Sequence, residues 1–104
     1  MIDVTLLKDK SEKLKGFELQ GHANYSKRGT DIVCAAVSIL STTAVNTLYK
    51  YNIKFDFKDT NDLMRLYTDD NSETTQIILN NFLIGIESIL DVHSDYIKLH
   101  SREV

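Results

Sequence analysis

The chain has one cysteine, four glycines that never cluster, and no surplus of positive charge. A single cysteine cannot close an internal disulfide and fits a reducing compartment. Gly16, Gly21, Gly29 and Gly85 are scattered, so there is no glycine-rich phosphate loop. A formal charge of −3 and a sequence pI of about 5.5 argue against broad nucleic-acid binding, which needs a basic face. No apolar run approaches the roughly 20 residues of a membrane span. The N-terminus lacks the basic and small-residue features of a secretion signal, so the expectation is a cytoplasmic protein without membrane contact. The histidines and the cysteine (His22, Cys34, His93, His100) show no paired metal-ligand spacing, and no metal or other cofactor is expected. Linkers, repeats and low-complexity tracts are also missing.

The patterning is that of one small α+β domain over residues 1–104. Ile2, Val4 and Leu6 alternate with polar residues as a first strand, and Phe17 and Leu19 as a second that runs into Gly21-His22. Residues 24–29 read as an exposed loop. From Asp31 to about Tyr51 the apolar residues Val33, Val37, Leu40, Ala44 and Leu48 fall on one helical stripe. Ile53, Phe55 and Phe57 form a third strand, and residues 63–68 a fourth. A second helix runs from Ser72 to about Val92, and a short last strand covers Tyr96 to Leu99. The fold class is α+β, with two helices packed on a mainly antiparallel sheet in the order ββαββαβ. Ile77, Ile84 and Ile89 lie off the main stripe of the second helix, so strands and loops or a second subunit must cover it. Asp56, Asp59, Asp62, Asp69, Asp70 and Glu73 read as a solvated edge able to attract a basic protein.

Chemistry concentrates between Gly21 and Ser38. Cys34, twelve positions after His22, sits at the expected start of the first helix, where a thiolate is favoured. A nearby histidine can take its proton, and free amides there can hold an oxyanion. Helical phase puts Cys34 beside Ser38 and Ser41 at the margin of the apolar stripe. Gly21 and Gly29 allow the chain to leave the sheet and return. Asp31 has two readings, an N-cap or a carboxylate that orients His22, with Thr30 the competing cap. Lys27 and Arg28 either lower the thiol pKa or are solvated loop charges. Besides a thiol hydrolase, two other classes use such residues: a non-catalytic module for a basic partner, and a redox sensor built on Cys34.

The blocks Gly21-His22-Ala23, Gly29 and Asp31-Ile32-Val33-Cys34-Ala35-Ala36-Val37-Ser38 resemble the signature of the ribosomal-processing cysteine protease family, Prp. The resemblance covers essentially the whole chain. It implies an endopeptidase of Firmicutes and related bacteria that removes a short N-terminal extension from large-subunit ribosomal protein number twenty-seven. It also implies His22 and Cys34 as the catalytic dyad, Asp31 and Ser38 as supporting residues, and a homodimer. The 24–29 loop would then have to yield for a peptide to enter.

Overall fold

The computed structural model describes residues 1–21 and 28–104. Its elements are β1 (Ile2–Lys8), β2 (Leu14–Gln20), α1 (Arg28–Lys50), β3 (Asp56–Asp59), β4 (Leu63–Tyr67), α2 (Glu73–His93) and β5 (Ile97–Glu103). The order is the ββαββαβ read from the sequence, and the five strands form one sheet in the order β3-β4-β2-β1-β5. Every neighbouring pair is antiparallel except β1 and β5.

The alternation in β1 and β2 places Val4 opposite Leu19 and Leu6 opposite Phe17. Their hairpin is closed by Asp9, whose Oδ1 accepts from the amides of Ser11 and Lys13 at 2.8 and 3.1 Å. One face of the sheet is apolar and carries the helices. Val33, Val37, Ala44 and Leu48 of α1 and Leu79, Phe82 and Ile86 of α2 are buried with Val4, Phe17, Leu66 and Ile97 of the strands. The Phe17 and Phe82 rings stack at 3.9 Å and 9°, tying α2 to β2. The opposite face is polar, with Glu18 bridging Arg65 and Arg102. Gly16 marks a close approach: a Cβ there would lie 1.9 Å from the Leu66 carbonyl oxygen on β4.

Three expectations shift. The strand expected from Ile53 begins only at Asp56, because residues 51–53 finish α1. Asn52 takes a left-handed φ of 59° and the Ile53 amide bonds the Leu48 carbonyl at 3.0 Å, an arrangement typical of helix C-termini. Strand β5 runs on to Glu103 although His100–Glu103 is polar and exposed, since its ladder to β1 continues to the Lys8–Glu103 pair. Finally, Ile32–Lys50 of α1 is, by length and composition, apolar enough to cross a membrane. The expectation that no run comes near a span is corrected accordingly. Its serines, threonines and Asn46 interrupt the apolar run, and its buried stripe lies in the protein's own core.

Candidate active site

Strand β2 ends one residue before the Gly21-His22-Ala23 block in which the general base is expected. Its last residue, Gln20, pairs with Asp3 on one side and Leu63 on the other, so the site end of the sheet gathers the starts of β1 and β4. Gly21 follows with φ 91°. A side chain there would meet the Met1 carbonyl oxygen at 2.5 Å, so a bare backbone is needed for the chain to turn off β2 beneath β1. Asp3 stands beside this turn, hydrogen-bonded to His100 Nε2 at 2.9 Å. His22, the expected general base, lies outside the described residues, as do residues 23–27 of the expected loop.

The next described residue is Arg28, and it is already helical. Arg28 and Gly29, expected in the loop, are the first two residues of α1, and Asp31 is the fourth instead of a cap. Nothing between Arg28 and Val33 forbids helix: there is no proline, and one glycine costs only about 1 kcal/mol. The apolar stripe marks the part of a helix that packs, and α1 extends past it by more than a turn. Cys34 is therefore the seventh helical residue. The amides without intrahelical partners are those of the first four residues, so the amides expected to be free at Cys34 are a turn away from it. This corrects both the N-cap reading and the first-turn placement of the thiol.

Helical phase is better preserved. Cys34 is half-buried, its thiol free, and it packs against the core while Val33 and Val37 are fully inside it. That is the margin of the apolar stripe, where a sulfur is held in place by packing without being sealed from solvent. Ser38 is exposed. Ser41 is buried and its hydroxyl donates to the Ser38 carbonyl at 3.0 Å, a bond back to the preceding turn of its own helix. Ser38 is thus one turn from Cys34 on the solvent side, and Ser41 is spent on the backbone.

Among the described residues, the perturbed ionisable groups lie elsewhere. Asp70 is held below its ordinary carboxylate value by hydroxyl bonds from Ser72 and Thr75. The Tyr67 phenol is raised by its hydrogen bond to Asp69. Among the described residues there is no cluster of three or more His, Cys, Asp and Glu side chains able to hold a metal. A cleft of about 470 Å³ opens between α1 and α2, lined among others by Leu40, Thr47, Tyr51, Ile77 and Asn81. Cys34 is not in it, and no motif in the sequence points to it.

Comparison with known proteins places the chain in a family. Residues 1–98 match the sequence model of the family described as cysteine protease Prp. The ribosomal processing cysteine protease Prp of Staphylococcus aureus is 27% identical over 107 residues, spanning 98% of this chain and all of that one. The protein of the same name from Bacillus subtilis is 38% identical over 48 residues, 46% of this chain and 43% of that one. The crystal structure of the S. aureus protease in complex with a substrate peptide superposes with a TM-score of 0.89 at 24% identity, covering 98% of this chain and all of that one. SMU.848 from Streptococcus mutans gives a TM-score of 0.82 at 28% identity, covering 100% of this chain and 96% of that one. With the family model matched over residues 1–98 and the S. aureus relative spanned over its whole length, the chain belongs to the cysteine protease Prp family and is a cysteine protease.

Proposed function

We propose that this chain is the endopeptidase that removes the N-terminal extension of large-subunit ribosomal protein number twenty-seven during ribosome assembly, with Cys34 as nucleophile and His22 as general base. The observation that carries the reading is the family match over residues 1–98, which spans both the Gly21-His22-Ala23 block and the Asp31-to-Ser38 block. The relatives named as ribosomal processing proteases, and the S. aureus structures with a substrate peptide and with a covalently linked product peptide, support it.

In this reading His22 takes the Cys34 proton, and the thiolate attacks the carbonyl carbon of the scissile amide. The tetrahedral intermediate collapses as His22 returns the proton to the departing amine. The trimmed ribosomal protein leaves first with a new amino terminus, and the extension stays on Cys34 as a thioester. Water activated by His22 hydrolyses that bond and restores the thiol. Half-burial suits this cycle, because packing against the core fixes the sulfur while its margin position leaves an approach for the peptide. Asp31 and Ser38 act in support from the same helix, one turn before and one turn after Cys34. Gly21 and Gly29 shape the segment between the dyad members. No cofactor takes part.

The working form is a cytoplasmic homodimer that binds neither nucleic acid nor membrane. Ile77 and Ile84 of α2 are 62% and 52% exposed and Ile39 of α1 is 66% exposed, so no described strand or loop of the same chain covers them. No charged residue falls between Ile32 and Tyr49 or between Thr74 and Ile86, and a second copy offers the same uncharged surface in return. The proposal is tested by incubating the N-terminally extended ribosomal protein with the chain under reducing conditions and weighing the products by mass spectrometry. A single cut by wild type, absent with Cys34→Ala and with His22→Ala while both variants stay folded, is the expected result. Substrate that binds but is never cut would overturn it in favour of a binding module.

A further inference from the structure

We draw no further inference here: the strongest candidate, the uncharged cleft of about 470 Å³ between α1 and α2, shows nothing of what covers it beyond the second copy already proposed.

Discussion

Gln76 offers the sharpest test of how α2 is fixed to the sheet. Strand β4 pairs with β2 only as far as Gly16 opposite Tyr67, which leaves the first residue of β2 without a strand on that side. The Gln76 carboxamide takes the strand's place: its Oε1 accepts from the Leu14 amide and its Nε2 donates to the Leu14 carbonyl, both at 2.8 Å. Gln76→Glu keeps the shape and the acceptor but removes the donor, setting a carboxylate against a part-buried carbonyl. Leaving such a group unsatisfied costs about 1–3 kcal/mol. With about 2 kcal/mol as the central value, a domain of this size should lose roughly 8–16 °C in Tm. The assay is thermal and urea unfolding of wild type and Gln76→Glu at pH 7 and again near pH 4. Acidification protonates the new carboxyl and gives back a donor, so the gap between the two proteins narrows at low pH. Equal stability at pH 7, or a gap that ignores pH, would refute the argument that this side chain substitutes for a strand.

Other consequences can be checked in the same way. Gly16→Ala would drive a Cβ to 1.9 Å from the Leu66 carbonyl oxygen; a loss on the order of 3 kcal/mol or more is expected in urea unfolding, and a neutral variant would show that the strands part easily. Asp70 has a folded pKa below its ordinary 3.8, so its contribution to stability is present above that value and is lost as pH falls through the folded pKa. Relative to Asp70→Asn, wild type is therefore more stable at pH 6, and the difference shrinks below about pH 4; a difference independent of pH contradicts the hydroxyl-bonded carboxylate. Ile77→Glu puts a charge on the exposed helical face, and sedimentation equilibrium should show a dimer become a folded monomer whose Tm no longer depends on protein concentration. A monomeric wild type would refute the dimer, and a variant that still pairs would move the interface elsewhere.

The periodic parts of this fold were legible in the sequence because burial imposes the periods. Val33, Val37, Ala44 and Leu48 are buried as their spacing requires, and Ser72 caps α2 where its side chain stands, accepting from the Thr75 amide at 3.2 Å. Boundaries set by backbone hydrogen bonds were not legible. The first turn of α1 over Arg28-Gly29-Thr30 carries no apolar stripe, and the outer half of β5 is exposed polar residues held by pairing with β1. Ile53 and Phe55 alternate like a strand and pack like one, yet their backbone begins by closing a helix. At the site, the phase of Cys34 was readable from its neighbours, whereas its depth in the helix depended on residues with no pattern at all. The function was carried by the ordered Gly21-His22-Ala23 and Asp31-to-Ser38 blocks, not by composition.

The most direct test of the central claim is the intact mass of the enzyme, acid-quenched within a single turnover of the extended ribosomal protein. A transient species heavier by the acyl part of the released extension is expected, mapped by peptide digestion to Cys34. An adduct on any other residue, or cleavage that continues unchanged in Cys34→Ala, would contradict it.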